Sequence, residues 1–487
     1  MKQWSALVML SAIYLTGCSV NPMVDLSTES TETSNDRSIT GKSGVMMQGF
    51  YWDVPAGGTW YNTMASKATE LANMSGGYGI DVIWYPPVSK TDNGPYSMGY
   101  DPFDYYDLGQ YNQKGSTETR FGSQAELKSS IAAFKAKGIA AMADIVLNHR
   151  SGGLSEANPK TGGNTWTNFS AVASGKNKWN WTSFHPNNYE TSDTGVFGGF
   201  PDVNFNNSPA YNDTKTWMNW LKSTTNAGFT QWRFDYVKGI WPWVVKDMKA
   251  ATGNVFTVGE YWDSNTSVLD SWANQANASA FDFALLYTMA DICNNTGGGG
   301  YLPNLLDYSK SFAAKNPFKA VTFVGNHDTD PIYTDKMLAY AFILTYQGYP
   351  MIWWKDYFNY GLKSLGGLWG NGIKQLVWAR GKLGGAAPQI ELLKTNDGDC
   401  LIYGSKGYST SSPGYIVVIN DNASAWKGAT VTTGNSYLKG KNLKAYAWYS
   451  PKSGQNYQPA TKSCSTSGVT DLWAPPRGYA VYSVDGL

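Results

Sequence analysis

Eight short apolar runs of strand-like character recur along the chain, at residues 45–52, 80–88, 139–147, 229–234, 255–259, 280–285, 320–325 and 349–354. Most are preceded by stretches with helical spacing, such as 60–74, 123–137 (ended by Gly138), 210–225 and 242–251. Repeated strand–helix units with apolar strands imply a parallel sheet, and eight of them imply closure into a barrel. An open doubly wound sheet is the alternative. It is disfavoured because no Gly-rich phosphate loop follows any of the strands. The expected fold class is therefore α/β, a (β/α)8 TIM barrel.

Two regions break the alternation. Residues 149–204 are rich in Gly, Asn, Ser and Trp with little periodicity. A structureless loop of that length is improbable, so the segment reads as an inserted domain after strand three. Beyond residue 386, short alternating segments at 400–404, 415–419 and 443–449 are separated by Gly, Asn and Ser, the pattern of an antiparallel β domain. The expected partition is a barrel over 44–148 and 205–385, the insertion over 149–204, and a C-terminal β-sandwich over 386–487.

At the N-terminus, Lys2 precedes a short apolar run at residues 6–14, too short for a permanent transmembrane helix. Leu15, Thr16, Gly17 and Cys18 follow and resemble a bacterial lipobox. That resemblance implies cleavage before Cys18, a lipid anchor on its thiol, and export to the outer membrane or cell surface. Ser19 resembles the outer-membrane address. Residues 19–43 are rich in Ser, Thr, Asn and Glu and read as a flexible tether. Export permits a disulfide. Of the remaining thiols, Cys400 and Cys464 lie in one C-terminal region and are the expected pair, leaving Cys293 free.

The net charge of +1, from 38 basic and 37 acidic residues, argues against nucleic acid as a partner. Aromatics reach 15%, with 21 Trp and 32 Tyr, and aromatic faces stack well on the apolar faces of pyranose rings. The chemistry is concentrated where strands end: DIVLNH at 144–149, WRFDYVKG at 232–239, VGEYW at 258–262 and FVGNHD at 323–328. In a parallel barrel all strand C-termini meet at one face, where active sites are built. Hydrolysing a glycosidic bond needs one carboxyl to protonate the leaving oxygen and another to stabilise an oxocarbenium-like centre. Asp235 follows Arg233 by two residues, so on a strand both side chains face the same way, and Arg233 would keep Asp235 ionised. Glu260 on the next strand would face that carboxylate and be held protonated by it, as a general acid must be.

Together the four motifs, in this order, resemble the α-amylase family, glycoside hydrolase family 13, over roughly residues 44 to 487. FPDVN at 200–204, QGFYW at 48–52 and GYDPFDYYDLG at 99–109 add to the match, with details closest to maltooligosaccharide-forming and plant-like amylases. The resemblance implies the same fold and a retaining hydrolysis of α-1,4-glucosidic bonds in α-glucans by a monomer. It implies Asp235 as nucleophile, Glu260 as acid/base, and Asp328 as the carboxylate that binds sugar hydroxyls. Tyr100, His149, Arg233, Lys238 and His327 match substrate-binding positions. Asn148, Asp193, Asp202 and the carbonyl of Gly239 match ligands of a Ca2+ ion, for which oxygen donors suit a hard cation. Gly239 stands where other members carry His, a swap expected to be harmless to a backbone ligand. His185 has no role in this reading. Met98 departs from the His or Gln that many members place before Gly99 and Tyr100. A transferring or debranching enzyme of the same family and a non-catalytic glucan-binding surface protein remain as alternatives.

Overall fold

The computed structural model describes residues 44–365, 372–385 and 388–487. The leader, Cys18 and the tether lie outside the described residues. Eight parallel strands close into a barrel: β1 (Met46–Gln48), β2 (Val82–Trp84), β3 (Ala140–Ile145), β4 (Gln231–Phe234), β5 (Thr257–Gly259), β6 (Ser279–Phe281), β7 (Ala320–Phe323) and β8 (Tyr349–Trp353). Each pairs with its sequence neighbours, and β1 closes the ring on β8 with Met46 opposite Met351. Nearly every strand residue is buried, as strands covered on both faces must be.

All eight expected runs are barrel strands. The sixth is shorter than expected, because Asp282 accepts a hydrogen bond from the Leu285 amide and starts the helix Phe283–Asn294 there. The expected helix over 60–74 is two pieces, Trp60–Ser66 and Ala68–Ala72. The helix Gln124–Lys135 starts from a capping box between Ser123 and Glu126. Pro209 opens the helix Pro209–Lys222 behind the cap Ser208, where its missing N–H costs nothing.

Between β3 and Pro209 the chain forms a hairpin, Leu154–Asn158 with Gly163–Asn168, and a short 3-10 turn at Trp181–Ser183. The far end of this segment folds back onto the end of β3. The Val203 amide donates to the Asn148 carbonyl at 2.9 Å, and the Arg150 amide to the Pro201 carbonyl at 3.1 Å.

The C-terminal strands are β9 (Ile390–Asp397), β10 (Cys400–Ser405), β11 (Tyr415–Asn420), β12 (Lys427–Thr432), β13 (Asn442–Tyr449), β14 (Lys462–Ser463), β15 (Val469–Ala474) and β16 (Gly478–Val484). Six form an antiparallel sheet in the order β9-β10-β11-β16-β13-β14, while β12 and β15 make a separate pair. Ile402, Val418, Leu443, Leu472 and Tyr482 fill a core of their own. Cys293, Cys400 and Cys464 are all buried free thiols, so the expected disulfide is absent. Three strands separate β10, which holds Cys400, from β14, which leads into Cys464, and the thiols do not meet.

A buried arginine joins this domain to the barrel. Arg477 pairs through Nε with Asp335 at 2.8 Å and through Nη1 with Asp421, and it donates to the carbonyls of Cys293 and Asn295 at the end of a barrel helix. Removing one partner of a buried ion pair strands the others in low dielectric. Arg477→Ala is expected to lower stability by about 3–5 kcal/mol, read as a fall in the urea unfolding midpoint.

Candidate active site

The barrel brings three carboxylates onto one guanidinium. Asp144 near the end of β3 is in register with Arg233 on β4. Asp235 and Glu260 each follow the last residue of β4 or β5. Arg233 Nη1 donates to Asp144 Oδ1 at 2.8 Å and to Asp235 Oδ1 at 2.6 Å. Its Nη2 lies 2.8 Å from Glu260 Oε1, an ion pair without hydrogen-bond alignment. Arg233 is wholly buried. The ring of Trp84 lies 4.8 Å from its guanidinium carbon.

One positive charge cannot hold three buried carboxyls ionised at ordinary pH. Burial pushes the Glu260 carboxyl well above the usual range; Arg233 opposes the rise, and the nearby Asp235, Asp328 and Asp144 add to it. The expectation that a neighbouring like charge holds Glu260 protonated is therefore only part of the cause, with burial foremost. Asp144 rises for the same reasons, burial first. Burial, with a further push from Asp235, also lifts Asp328, to about 6 against the pull of Arg233. Glu260 is positioned from a second side by the Tyr236 amide, 3.3 Å from Oε2, and Tyr236 itself sits in the left-handed region at φ 40°.

Asp144 opens the motif at 144–149 but was given no role there, yet it organises the site. Its Oδ2 accepts from Tyr100 Oη at 2.8 Å and from Trp84 Nε1 at 3.1 Å. The cross-strand register with Arg233 was the signal that could have revealed it. Tyr100 lies parallel to His327, ring centres 5.1 Å apart, and Trp52 lies parallel to Tyr100 at 6.2 Å. Trp52 is 47% exposed, so this stack opens to solvent. The Gln48 amide nitrogen bonds His327 Nδ1 at 2.8 Å. With that donor on Nδ1 the ring proton resides on Nε2, 3.0 Å from Asp328 Oδ2. Burial keeps His327 well below its ordinary pKa, hence neutral.

His149 stands differently from its expected place as a sugar contact. Its Nε2 donates to the Tyr100 carbonyl at 2.8 Å, Nδ1 faces the Asn148 amide at 3.5 Å, and Phe197 and Phe200 stack beside the ring at 4.7 and 5.0 Å. With no exposed surface, it fixes the Tyr100 backbone. Lys238, over a third exposed, is held by Asp263 at 3.1 Å.

Two of the expected metal ligands, Asp193 and Asp202, come together with His185. His185, Asp193 and Asp202 offer ligand atoms all within 4.8 Å of one another. The β-type pairing of His149 with Asp202 delivers Asn148 to the same place. Both Asp202 carboxylate oxygens and Asn148 Oδ1 are buried without a hydrogen-bond partner, a costly state that a cation would relieve. Asn204 Nδ2 lies 3.2 Å from His185 Nδ1, leaving Nε2 toward Asp193 at 3.5 Å. His185 thus has a place that the motifs did not assign. Gly239 packs closely on Asn148: a Cβ there would lie 1.6 Å from Asn148 Oδ1, so any larger residue requires that side chain to shift.

No family model matches the chain. Among curated proteins it is 31% identical over 387 residues to an α-amylase of Geobacillus stearothermophilus, covering 66% of this chain and 68% of that protein. It is 29% identical to a glucan 1,4-α-maltohexaosidase of Bacillus sp. (strain 707), over 67% and 72% of the two chains. The solved α-amylase of Geobacillus thermoleovorans in complex with acarbose shares the fold, with a TM-score of 0.64 at 15% identity over 92% of this chain and 98% of that one. The Tyr100–Asp144 bond predicts that Tyr100→Phe, which keeps the ring stack, lowers stability by about 0.5–1.5 kcal/mol, because Asp144 Oδ2 loses one of its two donors and keeps Trp84 Nε1. Calorimetric Tm values of the two proteins check this.

Proposed function

The chain belongs to the α-amylase family, and on that premise we propose that it is a retaining glycoside hydrolase. It cleaves α-1,4-glucosidic bonds in starch-like glucans and releases maltooligosaccharides. The observation that carries the mechanism is the pair Asp235 and Glu260 on the two nitrogens of one guanidinium. Adjacent carboxyls, at the ~5–5.5 Å typical of retaining enzymes, favour a covalent intermediate over direct attack by water.

Asp235, hydrogen-bonded to Arg233, attacks the anomeric carbon. Glu260, kept protonated chiefly by burial, gives its proton to the departing glycosidic oxygen. A glucan chain with a free 4-hydroxyl leaves, and a glucosyl ester forms on Asp235. Glu260, now a carboxylate, takes a proton from water as that water attacks the same carbon. This releases the sugar with its original configuration and restores both carboxyls. Asp328 and His327 face the same space and bind ring hydroxyls. Tyr100 and Trp52 supply aromatic faces, and His149 acts by holding the Tyr100 backbone. Lys238 lies on the leaving-group side, steadied by Asp263.

The unpartnered oxygens of Asn148 and Asp202, with Asp193 close by, fit a calcium ion, and the Gly239 carbonyl would complete the oxygen set, with His185 at its edge. When bound, the ion neutralises Asp193 and Asp202 and fastens the segment 149–204 to the end of β3. For location we favour export with a lipid on Cys18, on the strength of the leader sequence.

Glu260→Gln is expected to cut kcat on soluble starch by about 10³. Because Glu260 works protonated, wild-type kcat/KM should decline as pH rises through its elevated pKa. The alkaline limb therefore lies well above the ~4.3 of an ordinary Glu. Full activity in the Gln variant would refute the assignment. Chelation with EDTA should lower the Tm, and added Ca2+ should restore it. A Tm indifferent to both in wild type, with Asp202→Asn no different, would exclude the metal.

A further inference from the structure

The C-terminal sheets carry an aromatic groove that the catalytic reading leaves unused. Trp426 precedes β12, Trp473 lies on β15, Tyr457 comes from the loop between β13 and β14, and together they line a hollow of about 340 Å³. The rings of Trp426 and Tyr457 are 5.1 Å apart and inclined by 33°. Tyr457 is 53% exposed and Trp473 37%. Neither contributes to the core that holds these sheets together.

The site is held in shape. Trp426 Nε1 donates to Gln455 Oε1 at 2.7 Å, Trp473 Nε1 to Asp471 Oδ2 at 2.9 Å, and Tyr482 Oη to the Trp473 carbonyl at 2.5 Å. These bonds orient the rings, as a binding platform requires and a random surface aromatic does not. Lys462 is the one charged residue lining the groove, and it lies 3.8 Å from Asp471. The groove therefore offers no net charge to an ion or a nucleic acid. It offers broad aromatic faces rimmed by an amide, a carboxylate and an ammonium. A neutral chain with apolar ring faces and hydroxyl edges matches both properties.

We propose that this groove is a second α-glucan-binding site, remote from the barrel carboxylates, which holds a short stretch of the polymer while another stretch is cleaved. The proposal rests on the α-glucan specificity proposed above. Its aromatic residues lie just before β12, on β15 and in the loop before β14, whereas the cleavage residues lie at the ends of β3, β4, β5 and β7, so one sugar unit cannot touch both.

The test uses the full chain and two substrates: adsorption to insoluble starch granules, and hydrolysis of a short soluble maltooligosaccharide. Trp473→Ala and Tyr457→Ala are expected to weaken adsorption about tenfold and to leave kcat/KM on the short substrate within about twofold. Trp473→Phe, which keeps a ring, should retain most of the adsorption. Unchanged adsorption in both alanine variants overturns the second site. Equal loss of adsorption and short-substrate turnover also overturns it, as does a Phe variant no better than Ala. A wild-type protein that cleaves no α-glucan would instead overturn the proposed function, a result distinct from any of these.

Discussion

Arg233 is the constraint on which the site depends. A fully buried guanidinium is tolerated only when its charge is met by opposite charge, and here neighbouring strands supply it: Asp144 from β3, Asp235 from the end of β4, Glu260 from the end of β5. The same contacts serve fold and chemistry. They tie three consecutive strand ends together at the C-terminal face of the barrel, and they sort the acids. With one cation among several carboxyls, some must stay neutral, and the deeply buried Glu260 is pushed that way. Burial around one arginine thus sets the protonated carboxyl of Glu260 apart from Asp235, which the guanidinium hydrogen-bonds.

The inserted segment extends this arrangement outward. Pairing of 148–150 with 201–203 places Asp202 beside Asn148, and the next residue, His149, holds the Tyr100 carbonyl. Tyr100 in turn reaches Asp144 and so Arg233. A continuous chain of contacts therefore runs from the acidic cluster of the insertion to the central guanidinium. Gly239 belongs to it as well, since its bare α-carbon lets the loop after β4 approach Asn148. A cation in the cluster would stiffen the same chain of contacts without touching the reacting bond.

Much of this was legible in the sequence because periodicity and strand-end position are local signals. All eight barrel strands lie within the runs that apolar patterning marked, or begin one residue before them, and Asp235, Glu260, Asp328 and His327 fall at strand ends that the topology gathers. What escaped was set by tertiary contact. Asp144 looked like an ordinary strand residue until its register with Arg233 was known. His185 lies in an aperiodic segment, and only folding brings it to Asp193 and Asp202. His149 was read as facing the sugar, but Phe197 and Phe200, distant in sequence, cover its ring. The Cys400–Cys464 pairing failed because closeness in sequence said nothing about the strand order that separates them.

The charge pattern also explains how such a site can favour a neutral polymer. Its buried charges are spent on one another, Arg233 on Asp144, Asp235 and Glu260, and the partly exposed Lys238 is met by Asp263. His149 and His327 are held neutral by burial. What the cleft presents outward is aromatic, with Trp52 lying over Tyr100 and His327. Stacking on flat rings costs a sugar little desolvation, because its apolar face carries no hydroxyls to strip of water. The hydroxyl edges then meet fixed acceptors such as Asp328. The abundance of Trp and Tyr in a chain of almost no net charge is thus the compositional trace of the same recognition chemistry, carried by aromatic faces at the surface and by a compensated ionic network beneath them.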